Sequence, residues 1–375
     1  MIKLGFKRNL LLSIKNLPGW RTKRKIVVFS VDDYGNVRMA SKHARENLIK
    51  KGLNLHSNRF DLYDCLEDNN DLTYLFEVLN SFKDKNNNSA VFTCFTNPAN
   101  IDFEKMAQTG YSEYHYELLP DTFKKLNGYE NVFTLWKEGI KNKLIMPQFH
   151  GREHVNIKLL LELLKNNNSE VLTCFENRSF PVISKKQYKT ISLAASFSFD
   201  KFEENETHKK TISDGLKVFE KVFGFKALNF NAPGIHEHHS LENTLRQGGV
   251  MYIDTDIIKN EHQGNGVYRR QYNYLGKKSN SGLTYLIRNC VFEPSIESNI
   301  DWVDTCLTQI EISFKLNKPA NISSHRINFS GHIEPENREH GLKQLKKLLK
   351  AIVVKWPDVE FMTSDELGNL ITSLK

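Results

Sequence analysis

The sequence predicts an α/β fold: a distorted (β/α) TIM-like barrel of seven or eight strands, in a single domain. Three observations point to it. Short apolar runs recur along the whole chain, stretches with helical periodicity separate them, and polar residues with useful chemistry sit just after the apolar runs. The predicted strands are 25–31, 90–95, 144–149, 227–231, 250–254, 284–292, 319–324 and 358–362. Between them, 37–51, 72–83, 157–165, 208–223, 240–248, 302–315 and 339–355 carry apolar residues at three- and four-residue spacings. Leu159, Leu160, Leu163 and Leu164 form one such face, and Leu342, Leu345, Leu348 and Leu349 another. Strand–helix alternation of this length favours a parallel sheet, and about eight repeats suffice to close a barrel.

Two stretches break the rhythm. Residues 166–207 show no clear helical face and are expected to be an insertion or an irregular excursion, while 260–281 reads as a long polar loop. No internal repeat and no Gly/Ser- or Pro-rich linker divides the chain. The expected organisation is a basic N-terminal segment, 1–24, followed by one domain, 25–375.

Composition narrows the class. The 375 residues are 26% charged and 39% hydrophobic, with 52 basic against 44 acidic side chains and a formal charge of +8. That balance describes a globular protein rather than a disordered one. The excess of lysine is spread in short clusters, which suits a solvated surface or an anionic partner. No basic stripe interleaved with aromatics, no nucleic-acid module and no glycine-rich phosphate loop is present, so no nucleic-acid partner is expected. Five cysteines, at 65, 94, 174, 290 and 306, form no CxxC pair. Three lie within apolar runs, which reads as reduced, buried thiols and a cytoplasmic protein. No 18-residue apolar stretch exists, and the first residues have too short an apolar centre for a secretory signal. Residues 1–22 suit a basic amphipathic helix, either peripheral at a membrane surface or packed on the domain.

The chemical loci share one placement. Asp32 and Asp33 follow the first strand, His150 the third, and Asn231-Ala-Pro-Gly234 the fourth. Asp254 and Asp256 follow the fifth, and His325 the seventh. In a closed parallel barrel the carboxyl ends of all strands meet on one face, so loci distant in sequence converge. His150 and His154 are four residues apart. If a helix begins near Gly151, they share one face at about 6 Å, able to grip one ion. A carboxylate from Asp33 would complete a His₂Asp set with a position open for water, the pattern of a catalytic metal site. Asp32 cannot easily point the same way as Asp33, which frees it to act as a general base. His236-Glu-His-His239 reads as a second metal site, a cleft lining or plain surface. Tyr34, Tyr252 and Trp302 are candidates for stacking on a sugar ring.

These loci resemble the polysaccharide deacetylase family, the NodB-like carbohydrate esterases of the glycoside hydrolase/deacetylase superfamily. Ser30-Val-Asp-Asp-Tyr-Gly35 resembles the family's TFDDG motif, and His150 and His154 its H-x-x-x-H motif. Phe230-Asn-Ala-Pro-Gly234 resembles R-x-P-x-G, and Ile322-Ser-Ser-His325 the late L-x-H motif. The resemblance spans about residues 25–372. It implies a zinc-type divalent ion on Asp33, His150 and His154, and a carbohydrate substrate that loses an acetyl group from an N-acetylated amino sugar or glycan. It also implies Asp32 as base, His325 as the acid that protonates the departing amine, and Asp254 or Asp256 as the residue orienting His325. Cobalt, manganese or nickel would fit the same ligands.

Departures from the pattern are informative. Asn231 stands where the family has arginine; it is expected to hydrogen-bond Asp32 without charge. Arg152 and Arg326 are the expected sources of the missing cation. Tyr34 replaces a common glycine and is expected to narrow the cleft, with Asn231, Pro233, Arg152 and Glu293 as further substrate contacts. Two alternatives stay open: a catalytically inactive sugar-binding member of the fold, and a glycosidase pairing Asp32 with Glu293 or Asp254.

Overall fold

The computed structural model describes residues 13–14, 16–56, 58–180, 191–296 and 299–373. Most of the 1–22 segment therefore lies outside the described residues. In chain order the strands are β1 (Lys25–Tyr34), β2 (Phe92–Thr96), β3 (Ala99–Ile101), β4 (Tyr116–Leu118), β5 (Ile145–Phe149), β6 (Asn229–Phe230), β7 (Tyr252–Thr255), β8 (Ile258–His262), β9 (Tyr268–Tyr272), β10 (Thr284–Ile287), β11 (Cys290–Val291), β12 (Ala320–His325) and β13 (Val359–Met362). The eight runs expected to be strands all appear.

The main sheet is parallel throughout and curls in the order β10-β7-β6-β5-β2-β1-β12-β11, with β13 also on β1. The two ends of that order belong to one run of chain. Residues 284–287 pair with β7, and 290–291 pair with β12. At the bend between them, the Arg288 amide donates to Thr255 and the Asn289 amide to Asn321. One bent strand thus bridges both edges, and the sheet becomes a distorted barrel.

β1 is its axis. It is buried from Ile26 to Tyr34 and carries β12 on one side, with β13 and then β2 on the other. A strand covered on both faces needs an unbroken apolar run, which Ile26–Phe29 supplies. Helices Asn69–Asn80, Val132–Lys141, Trp302–Lys315 and Pro335–Lys355 pack over this side. Leu342, Leu345, Leu348 and Leu349 are buried there as their spacing predicts. Leu159, Leu160, Leu163 and Leu164 face a smaller cluster with Val155, Val171 and Phe175. All five cysteines are buried and unpaired. Residues 16–24 seat on the barrel: Lys318 Nζ donates to the carbonyls of Pro18, Gly19 and Trp20, each at 2.8 Å.

The irregular stretches are corrected in part. Residues 169–176 form a helix capped by Asn168, while 181–190 lie outside the described residues. The expected 260–281 loop instead holds most of the antiparallel hairpin β8–β9, whose second strand, Tyr-Arg-Arg-Gln-Tyr, has no alternation of apolar with polar. The helix Val132–Lys141 was also not anticipated. No helix among the described residues is long and apolar enough to cross a membrane.

Two histidines, one buried and one half-buried, each add a pH-dependent contribution to the fold. His208 packs edge-on to Phe197 and Phe199, and His236 stacks on His262. Burial pushes each from 6.5 down to about 4. The unfolded chain therefore binds more protons at these two sites between those values, so their contribution is full above pH 6.5 and is lost as pH drops towards 4. Thermal melting should show the Tm of His208→Gln rising relative to that of wild type as pH falls through this window.

Candidate active site

The carboxyl end of β1 builds the site. Val31 and Tyr34 pair with β2 across a register shift, and inside that bulge Asp33 takes φ +75°. Adjacent strand residues ordinarily point to opposite faces. The left-handed kink, which aspartate tolerates better than most side chains, lets Asp32 and Asp33 both reach the rim. Gly35, at φ +74°, completes the turn; a Cβ there would lie 2.5 Å from the Asn97 carbonyl oxygen. Its amide donates to both oxygens of buried Glu67 at 3.2 Å. Glu67 in turn accepts from Trp136 Nε1 at 3.1 Å and Arg326 Nη1 at 2.9 Å.

His150 and His154 meet Asp33 here. Asp33 Oδ1 lies 2.9 Å from His154 Nε2 and 3.3 Å from His150 Nε2. One ligand atom from each of the three residues falls within a 4.8 Å span, and all three residues are buried. The expected helix across the two histidines does not form: the next helix starts at Ile157, and a loop turning at Gly151, φ +94°, joins them. His150 Nδ1 donates to the Asn231 carbonyl at 2.8 Å. That fixes the tautomer and turns the Nε2 lone pair inward, where it has no hydrogen-bond partner. Burial pulls His154 below the ordinary imidazole value despite Asp33, which keeps it neutral. Burial would raise Asp33, but the neighbouring histidines hold its carboxyl well below the usual range. A carboxylate oxygen, two imidazole rings and an orphaned buried ring nitrogen on His150 are the donor set a divalent transition ion takes.

Asp32 has a different partner. Arg288 grips it in a two-pronged pair, Nη1 to Oδ2 at 2.5 Å and Nη2 to Oδ1 at 2.8 Å, with Arg288 Nε 3.5 Å from Asp254 Oδ1. Arg288 stands at the bend joining β10 to β11. The cation missing from the Asn231 position thus arrives from the bend after β10, two strands along from β6. Arg152 and Arg326 do not supply it. Arg152 pairs with Glu153 and Asp214 and lies over the Tyr116 ring; Arg326 pairs with Asp64 and Glu67. Asn231 does not bond Asp32 either: its Nδ2 donates to the Asp254 carbonyl at 2.9 Å.

His325 faces Asp32 by register, since the two are direct partners across β1 and β12. Its Nε2 lies 4.0 Å from Asp32 Oδ2, and 30% of the side chain reaches solvent. The residue orienting it is Glu293, whose Oε1 accepts from Nδ1 at 2.6 Å. Asp254 is instead tied to Ser30, Asn229 and Asn321 behind Arg288. Burial would lower the His325 pKa, but Glu293, with Asp33 and Asp32 beyond it, raises it to about 9. Glu293 is also held by Arg59 Nη2 at 2.6 Å and Asn328 Nδ2 at 2.9 Å, so it is committed to His325 rather than free for substrate. Burial would raise its carboxyl, yet His325 and Arg59 keep it below the usual range.

Three further expectations change. Tyr34 is 1% exposed and meets the Trp136 ring edge-on, so it belongs to the core and not to the cleft. Tyr252 is buried with its hydroxyl on Asn369, and Pro233 is buried at the start of a short turn. The tyrosine misassignment follows from the bulge, because one extra residue reverses the parity of every later side chain. Arg288 and Glu293 are hard to assign from sequence because each acts on a residue of another strand more than thirty positions away in the chain.

No protein-family model matches the chain, and no curated protein matches it in sequence. Its structure is similar to that of a Mycobacterium smegmatis protein named for polysaccharide deacetylation, with 12% identity over 96% of this chain and 94% of that one, at TM-score 0.45. It is also similar to the α-amylase AmyC of Thermotoga maritima, with 10% identity over 92% and 74%, at 0.45. A family 4 carbohydrate esterase of Streptomyces lividans shares 9% identity over 92% and 95%, at 0.37.

Arg288→Ala should leave Asp32 and Asp254 buried without a counter-charge and cost about 3–5 kcal/mol of stability. Arg288→Lys, which keeps the charge but loses the two-pronged geometry, should fall between it and wild type. Denaturant unfolding checks both.

Proposed function

We propose that the chain is a metal-dependent hydrolase that removes an acetyl group from an N-acetylated amino sugar or a glycan carrying one. The observation that carries this reading is a division of labour at one rim: Asp33, His150 and His154 as an ion-binding set, Asp32 beside them, and the His325–Glu293 pair opposite.

A divalent ion, zinc by preference, held by Asp33, His150 and His154 would polarise the acyl carbonyl and make water a better nucleophile. Asp32, aligned by Arg288, accepts the proton of the attacking water. His325, charged at neutral pH and aligned by Glu293, gives its proton to the amide nitrogen as the C–N bond breaks. Acetate and a free amine result. An amide needs this proton because an amine anion is a very poor leaving group. Asn231 contributes through its carbonyl, which fixes the His150 ring.

The Arg288 pair removes the motive for an inactive sugar-binding protein, since the charge that Asn231 lacks is present. A glycosidase would need a free acid across the cleft from Asp32. Glu293 is bound to His325 and Arg59, and Asp254 lies behind Arg288.

Purified protein should release acetate and free amine in equal amounts from N-acetylglucosamine oligomers, lose that activity to a chelator and regain it with divalent metal. Protein that holds metal yet releases neither product from any N-acetylated sugar would end the proposal. Elemental analysis should find bound metal lost in His150→Ala and Asp33→Ala but retained in Asp32→Asn, which should still lack turnover. In Glu293→Gln the alkaline limb of the kcat profile should move to lower pH, because the anion that raises the His325 pKa is gone.

A further inference from the structure

The β8–β9 hairpin rises from the end of β7 and leaves its second strand as an exposed edge. Cross-strand partners share a face, and alternate residues of a strand line it. Tyr268, Arg270 and Tyr272 therefore lie together, with Asn260 opposite Arg270, Ile258 opposite Tyr272 and His262, itself buried against Phe199, opposite Tyr268. Every β9 residue but Gln271 is exposed. Tyr272 is 64% exposed, Val267 at the turn 58% and Tyr268 46%. β8 differs: Lys259, Glu261 and His262 are buried, with Lys259 tied to Glu237 and Glu261 to His239. The side chains of Arg269 and Arg270 make no hydrogen bond or ion pair among the described residues.

This ribbon continues into a second exposed strip. Tyr274 lines a small cleft with Pro18 and Ile257. The Trp20 amide donates to the Leu275 carbonyl at 2.8 Å, which fixes 17–20 beside the foot of the hairpin. Ile14 and Leu17 are both prominently exposed there, and Arg21 reaches back to the Leu17 carbonyl. Exposed tyrosines and arginines on β9 thus lead into exposed aliphatic side chains beside its foot.

We propose that the exposed β9 edge of the hairpin, with the strip from Leu17 to Tyr274, rests on a lipid bilayer rich in anionic headgroups. Tyrosine rings favour the headgroup level, where an apolar body and a polar tip are both satisfied. Unpaired arginines beside them are attracted to anionic lipid, in a chain whose formal charge is +8. The other occupants fit less well. Pairing of the free β9 edge with a second copy would bring Arg269 and Arg270 close to their own counterparts, a standard device against edge association. An acidic glycan would use the arginines and the tyrosine faces, but would leave Val267, Ile14 and Leu17 without a task.

The test is co-sedimentation of the full chain with vesicles of phosphatidylcholine alone and with phosphatidylglycerol added. Binding is expected only to the anionic vesicles, weakening with salt. Each arginine removed should weaken binding roughly fivefold, measured in Arg269→Gln/Arg270→Gln. Tyr272→Ser/Tyr274→Ser should weaken it at unchanged surface charge, and both variants should melt like wild type. Equal vesicle binding by wild type and both variants would overturn the proposal. So would failure to bind anionic vesicles, whether the chain then binds an acidic polysaccharide or forms a dimer that the arginine variant abolishes.

Discussion

The end of β1 is the constraint on which the rest depends. Two adjacent residues can serve one rim only if the backbone between them breaks strand geometry, and Asp33 does so at φ +75°. Such a conformation is held only where its surroundings over-determine it. Glu67 supplies that hold by taking the Gly35 amide, and Arg326 secures Glu67 while also binding Asp64. Because Arg326 directly follows His325, the clamp under the first motif and the imidazole of the last are anchored together.

Charge around the rim is distributed by type of cation. Asp32 and Asp254 share Arg288, Asp64 and Glu67 share Arg326, and Glu293 has Arg59. Buried carboxylates need such partners, because an uncompensated charge away from water is costly. Asp33 differs. Its neighbours are His150 and His154, imidazoles that hold lone pairs when neutral. A guanidinium in that position would satisfy the carboxylate permanently; two histidines leave it able to share a cation from outside.

Much of this was legible in the sequence. Fully buried parallel strands read as apolar runs, so β1, β5 and β12 could be bounded closely, and the helix Trp302–Lys315 coincides with its periodic stretch. Asp33 and His150 could be named because each stands at the end of such a run, and His154 by its four-residue spacing from His150. What escapes a reading of the sequence is pairing between segments distant in the chain. Nothing local to Asn231 says that its lost charge returns on Arg288, and nothing near His325 points to Glu293 rather than Asp254. Tyr34 was misjudged because an irregularity in register leaves no trace in composition. The β8–β9 hairpin was read as loop because neither of its faces offers the apolar alternation that marks a half-buried strand.

The bend at Arg288 has a consequence for how the molecule responds to strain. Its backbone amide seals the circumference against Thr255, while its guanidinium aligns the residue assigned to deprotonate water. Architecture and chemistry are therefore coupled through one residue. Loosening the seam between β7 and β12 would thus disturb the cation that grips Asp32 together with the closure of the sheet.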